Sequence, residues 1–316
     1  MTKIPLKEIL RLQRHGRCSL STVIGTPNRL LTTKKVRKKD KKQTKYWLYD
    51  LSGSRLASGA IAMNLGTRKF VTTDQGIKEY FPDVDRYFNV KTWYEFYLDD
   101  DHQLQYRGIG RKIPLPNGYF DGKKVVLNRR KYLDYSARRV EYLTFGPSAF
   151  CYYDLHECTG NFVFYETGEK HTFYQPRRVF GYPPRELRWS LRGSYLGIRK
   201  WDRLHIYDVV KGESFNTNVY LSNDAISKYR WFTDDTVFVD NGYQNCLLYH
   251  VPTRRSLPFA TKPKVEKKGW LARLLADPSH LSVFDPVNRL VILTSYRSTY
   301  FAVYQFPPMD ILLALW

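Results

Sequence analysis

Cys151, His156 and Cys158 stand as C-x4-H-x-C, and thiolate and imidazole are the side chains that hold zinc most readily. A structural zinc site needs four ligands. The spacing matches no zinc knuckle and supplies no fourth, so neither a metal nor a cofactor is expected. "DDDH" (99–102) and "FTDD" (232–235) offer carboxylate oxygens for a divalent cation. Both lack the spaced ligands and the glycine of a calcium loop, and solvated acidic turns are the expectation. "YRGIGRK" (106–112) sets Gly108 and Gly110 before Arg111 and Lys112, a group that could hold a phosphate. "IPLPNG" follows where a phosphate site would need a helix, so a hairpin turn is expected. The seven histidines are scattered, with no G-x-S-x-G and no H-E-x-x-H around them. His205 and His250 fall inside strand-like runs. Catalytic activity is not expected.

Charge is the stronger signal. The 316-residue chain carries a formal net charge of +21. Residues 1–45 hold 14 Lys and Arg against 2 Asp and Glu, more than half of the excess. Within them "TTKKVRKKDKKQTK" (32–45) is densest, with Lys34, Lys35, Arg37, Lys38, Lys39, Lys41 and Lys42. Charges this close repel one another, and the run reads as a flexible basic arm, a nuclear-import signal or a phosphate-binding segment. Arginine also alternates with aromatic residues in "LNRRKYLDYSARRVEYL" (127–143) and "YQPRRVFGYPPRELRW" (174–189). Arg129, Arg130, Arg138, Arg139, Arg177 and Arg178 could neutralise phosphates beside rings that stack on bases. Strand alternation alone, with arginine in solvent and the ring in the core, gives the same pattern.

The elements that would position these residues are mostly strands. The chain has 25 Tyr, 18 Phe and 7 Trp, residues that suit a pleated, half-buried surface. From Tyr46 onward, strand-length runs such as "KKVVLNR", "NFVFYE" and "RLVILTSY" alternate with Gly, Pro, Asn and Asp. Helical spacing occurs in "LKEILRLQRHGR" (6–17), through Leu6, Ile9, Leu10 and Leu12, and in "KKGWLARLLADPSH" (267–280), part of an insertion at 260–280. Four cysteines provide no disulfide framework, and reduced thiols are expected. No apolar run approaches the length of a membrane span, and the start of the chain has no secretory h-region. A cytoplasmic or nuclear, intracellular location is expected.

One pattern recurs. Tyr49-Asp50, Tyr153-Asp154 and Tyr207-Asp208 each end an apolar run and precede a turn containing glycine. Tyr249, Tyr304 and, more weakly, Tyr106 sit in similar runs, and the six tyrosines are 42 to 57 residues apart. A period near 40–50 residues made of short strands marks propeller blades. The tyrosine would then close the third strand of each blade, and the aspartate would cap the following turn. Over residues 46–306 the chain resembles divergent WD40-like and kelch-like β-propeller repeats. It has no Gly-His pair and no Gly-Gly pair, and Tyr-Asp replaces Trp-Asp.

The resemblance implies an all-β, propeller-like fold of about six or seven blades over 46–316, with a basic arm at 1–45 and one short helical insertion. The function expected is a non-catalytic binding scaffold. Its basic surfaces would engage nucleic acid, a ribonucleoprotein or an acidic protein. Two other readings remain open: a structural subunit of a large particle, and a propeller hydrolase or lyase using Asp50, Asp154, Asp208 and Asp240.

Overall fold

The computed structural model describes residues 4, 6–13, 19–22, 29–38, 41–61, 70–73, 77–84, 90–101, 103–134, 140–174, 184–221, 228–240, 246–258, 280–285, 289–294 and 300–316. Among them the chain is all-β apart from one short helix, with 28 strands in seven four-stranded antiparallel sheets. Strand β1 (Lys7–Gln13) is set apart from the strands that follow it in sequence. Sheet one is β2 (Ser19–Thr22), β3 (Arg29–Lys38), β4 (Lys41–Asp50) and β5 (Arg55–Ile61). Sheet two is β6 (Phe70–Thr73), β7 (Ile77–Val84), β8 (Val90–Leu98) and β9 (Leu104–Gly110). Sheet three is β10 (Ile113–Leu115), β11 (Gly118–Phe120), β12 (Lys124–Leu127) and β13 (Arg130–Asp134). Sheet four is β14 (Val140–Phe145), β15 (Ala149–Asp154), β16 (Thr159–Phe164) and β17 (Lys170–Tyr174). Sheet five is β18 (Glu186–Trp189), β19 (Tyr195–Lys200), β20 (Arg203–Asp208) and β21 (Glu213–Tyr220). Sheet six is β22 (Lys228–Trp231), β23 (Thr236–Asp240), β24 (Cys246–His250) and β25 (Arg255–Pro258). Sheet seven joins β26 (His280–Asp285), β27 (Leu290–Thr294) and β28 (Tyr300–Gln305), and β1 is its fourth strand. Helix α1 (Met309–Leu315) follows.

The chain forms two compact units. One comprises Met1–Asn64, Leu98–Gln103 and Leu221–Trp316, and holds sheets one, six and seven; the other comprises Leu65–Tyr97 and Leu104–Tyr220, and holds sheets two to five. In sheets four and five the middle strands are largely buried on both faces. The first five residues of β15, "AFCYY", are all buried, which is why that run reads as continuously apolar rather than alternating. Strand β21 lies at an edge and alternates, with Thr217 and Val219 buried between exposed neighbours. Tyr207 of β20 packs against sheet four, its ring 5.7 Å from Phe162 and 6.0 Å from Phe173. In the first unit Tyr49 clusters with Leu12, Phe301 and Val303 of sheet seven, and Tyr304 with Phe238 and Leu248 of sheet six.

Sheet seven ties the beginning of the described chain to its end. β1 runs antiparallel to β28, with Lys7 opposite Gln305 and Gln13 opposite Tyr300. Tyr304 Oη donates to Glu8 Oε2 at 3.1 Å, and the amide of the buried Ile4 donates to Pro258 O at 3.0 Å. The helix suggested for "LKEILRLQRHGR" is therefore a strand in its central part. The reason is a bulge: the register shifts between Glu8 and Leu10, leaving Ile9 as an extra residue. One added residue turns period-two alternation into a spacing that looks helical.

The repeat needs a second correction. Tyr49, Tyr207, Tyr249 and Tyr304 do lie in the third strand of their sheets, counting sheet seven from β26. Tyr153 lies in the second strand of sheet four, and Tyr106 in the fourth strand of sheet two. In sheet four the position equivalent to Asp208 is Phe164. Gly168 N donates to Phe164 O as Gly212 N donates to Asp208 O, both at 2.9 Å, with φ of 71° and 70° at the two glycines.

The insertion expected to be helical at 267–280 lies outside the described residues up to His280, which begins β26. The helix that is present, α1, starts after Pro307 and Pro308 and buries Leu312 against Phe232, Phe238 and Phe306. Among the described residues no helix is long and apolar enough to cross a membrane.

Leu12 is the buried anchor of β1. Replacing it with Ala is expected to destabilise the unit by about 2–4 kcal/mol, the usual cost of a large-to-small change in a core. Urea unfolding followed by tryptophan fluorescence measures this, with a lowered midpoint and an unchanged slope.

Candidate nucleic-acid interface

The described residues of the basic run at 32–45 fall on two antiparallel ten-residue strands, β3 and β4. Residues expected as a separate arm at 1–45 thus contribute β1, β2, β3 and the first part of β4, and β4 passes through position 45 without a break. Among the described residues β2 pairs with Leu30, Leu31, Thr32 and Thr33 of β3, and β5 pairs with β4 as far as Thr44; residues 14–18 and 62–69, next along β2 and β5, lie outside the described residues. Residues 34–38 and 41–45 of the two strands pair with one another and form the β3–β4 ribbon. In it Lys34 faces Lys45, Arg37 faces Lys42, and Lys38 faces Lys41. Lys35 faces Thr44, and Val36 faces Gln43. By period two, Lys34, Lys38, Lys41 and Lys45 belong to one face, and Lys35, Arg37 and Lys42 to the other. Lys34 is half-buried, and Lys39 lies outside the described residues.

Directly opposed like charges destabilise an antiparallel pair by a few tenths to about 1 kcal/mol each. Lys34 and Lys45 are one such register pair.

The arginines expected on the body are placed in part. Arg129 and Arg130 are exposed in the two-residue turn and strand start that join β12 to β13. Asn128 and Arg129 both have positive φ, 47° and 62°, as a tight primed hairpin turn requires. Arg138, Arg139, Arg177 and Arg178 lie outside the described residues.

The aspartates read as turn caps are turn caps. Asp50 Oδ1 accepts from the amides of Ser52 at 2.9 Å and Ser54 at 3.0 Å. Asp154 Oδ1 accepts from His156 and Glu157, and Asp208 Oδ1 from Val210 and Lys211, at 2.9 to 3.1 Å. Asp99, the first residue of "DDDH", accepts from Gln103 N at 2.7 Å, and Asp235 of "FTDD" binds the hydroxyls of Thr233 and Thr236. The side chain of Asp240 is not among those described.

No group of His, Cys, Asp and Glu among the described residues is arranged to hold a metal ion. Cys151 is fully buried in β15, and burial pushes its thiol well above the usual range, so it stays protonated. His156 is exposed in the turn, and Cys158 Sγ contacts Leu155 O. Gly108 and Gly110 fall at the end of β9, with β10 rather than a helix after them.

Sequence reading missed one exposed group. Trp201, in the turn "KWDR" between β19 and β20, is 43% exposed at a φ of 55°. Its signal was the placement of a large ring in a hairpin turn.

Asp208→Ala removes the acceptor for two amides and is expected to cost about 1–3 kcal/mol. Asp208→Asn keeps an oxygen there and should cost less; chemical denaturation of the two variants makes the comparison. His205 gives a pH test. Burial, with Lys200 and Arg203 nearby, holds its imidazole below the ordinary value of 6.5. Below that pH the unfolded chain binds a proton that the folded chain refuses, so stability falls on acidification. The thermal midpoint of His205→Gln should fall less than that of the natural chain between pH 7 and pH 5.

The chain matches no protein-family model, and no curated protein is significantly similar to it.

Proposed function

We propose that the seven sheets are the blades of a β-propeller and that the protein is a non-catalytic scaffold that binds nucleic acid through basic surfaces, chiefly the β3–β4 ribbon. The blade reading is supported by seven sheets of one size and by the contribution of β1 to the sheet of β26–β28. That arrangement lets a last sheet gain its fourth strand from the other end of the chain. Tyr49, Tyr207 and Tyr304, in third strands, also pack on a neighbouring sheet, as stacked blades require.

The observation that carries the binding reading is the register of the ribbon. Three cationic register pairs, Lys34/Lys45, Arg37/Lys42 and Lys38/Lys41, lie along the paired strands β3 and β4. A polyanion relieves the repulsion between them and releases its own counterions on binding. A two-stranded ribbon is also narrow enough to enter a groove of a nucleic-acid duplex.

The test is a salt titration with a labelled duplex followed by fluorescence anisotropy. Neutralising four charges (Arg37→Gln, Lys38→Gln, Lys41→Gln and Lys42→Gln together) should weaken binding. It should also lower the slope of log affinity against log salt by up to about 3.6. The same variant should be no less stable than the natural chain, because two repulsive pairs are gone. Unchanged affinity and slope would reject the ribbon as the binding element. Binding of an acidic polypeptide with no affinity for nucleic acid would point to a protein partner.

A further inference from the structure

We propose a second site on sheet five that binds single-stranded nucleic acid by stacking a base on Trp201. This rests on the reading of the protein as a nucleic-acid scaffold, and it uses residues of the unit that lacks the β3–β4 ribbon.

Lys200, Arg203 and Tyr220 are successive register partners across β19, β20 and β21, so they form one row at one end of the sheet. Neighbouring strands are about 4.8 Å apart, and the row spans roughly 10 Å. Arg203 is exposed, and Tyr220 is 55% exposed. Trp201 begins the two-residue turn beside the row. Arg185, also exposed, is anchored at the same end by its amide, which donates to Arg199 O at 2.8 Å. Its guanidinium carbon lies 6.0 Å from the centroid of the Trp201 ring. Lys200 Nζ lies 4.8 Å above the ring of Tyr174 in β17. Three cations and three aromatic rings therefore share this end of sheets four and five. Asp202 is the carboxylate within the turn, and the nearby Glu186 is paired with Arg188.

Turn chemistry does not reward a tryptophan here. The first central residue of a tight hairpin turn at positive φ is normally Gly, Asn or Asp, and a bulky side chain costs about 1–2 kcal/mol. Nor is the ring placed in the core. A strained, exposed ring beside cations is the arrangement by which proteins hold unpaired bases: the ring takes the base, and the cations take the flanking phosphates. A duplex keeps its bases stacked on one another and offers no free face along its length, which makes a single strand the ligand.

The variant that tests this is Trp201→Asn. Asparagine accepts positive φ, so the turn is kept and folding does not confound the result. Binding is followed by anisotropy with a labelled oligouridylate and with a duplex of the same length. The site predicts that Trp201→Asn weakens single-strand binding roughly tenfold, within the range for one stacked base. It predicts duplex affinity within about twofold of the natural chain and a thermal midpoint unchanged or raised. Arg203→Gln should lower the single-strand salt slope by about 0.7. Unchanged single-strand affinity in Trp201→Asn overturns the site, as does an equal loss on the duplex. If the ribbon variant alone loses affinity, the site fails while the scaffold reading stands. If the natural chain binds neither probe at low salt, both fail.

Discussion

The pairing of β1 with β28 is the constraint on which the first unit depends. It joins residues from near the two ends of the described chain, as in the hydrogen bond from Tyr304 to Glu8 across 296 positions. Through it Leu12 enters the cluster that holds Tyr49 of sheet one, and Ile4 reaches the edge of sheet six. The base of the β3–β4 hairpin is thereby fixed to structure formed by the end of the chain. Closing so long a loop costs entropy that only many simultaneous contacts can offset, and contacts of such high sequence separation form slowly. The bulge at Ile9 fits this role. It breaks the regular ladder and bends the strand while Leu12 stays buried.

Much of the sheet architecture was legible because two residue types do separate physical work at adjacent positions. A tyrosine near the end of a third strand buries its ring against another sheet, and an aspartate after it satisfies the amides of the turn. Tyr207-Asp208 does both, and so does Tyr49-Asp50. The same dipeptide misled at Tyr153-Asp154, which ends a second strand, because an aspartate caps any tight turn regardless of its place in the sheet. There the third-strand position ends in Phe164, and the shared signature is Gly168 rather than a Tyr-Asp pair. The strand character of "KEILRLQ" was hidden by the bulge. The strand character of the basic run was hidden by its charge, since repulsion within the sequence says nothing of which cations will face one another across a hairpin.

The candidate binding surfaces rest on two different interactions. Along the β3–β4 ribbon the physics is Coulombic. Such binding would be insensitive to sequence, weakened by salt, and set by the number of cations along the ribbon. Around Trp201 it is stacking, which depends on one ring held at one backbone conformation and far less on ionic strength. Charge counting alone pointed to the first. The second became visible only when the strand register brought Lys200, Arg203 and Tyr220 into one row, with Arg185 and Tyr174 arriving from other strands.

The central claim is that nucleic acid lies on these elements and not simply on a positively charged protein. Hydrogen–deuterium exchange of the full chain, with and without a saturating oligonucleotide, tests this most directly. Slowed exchange is expected at residues 34–45 and at the turn 200–203 alone, with little change at the capped turns after Asp50 and Asp154. Protection spread evenly over the basic residues, or protection that leaves 34–45 unchanged, would contradict it.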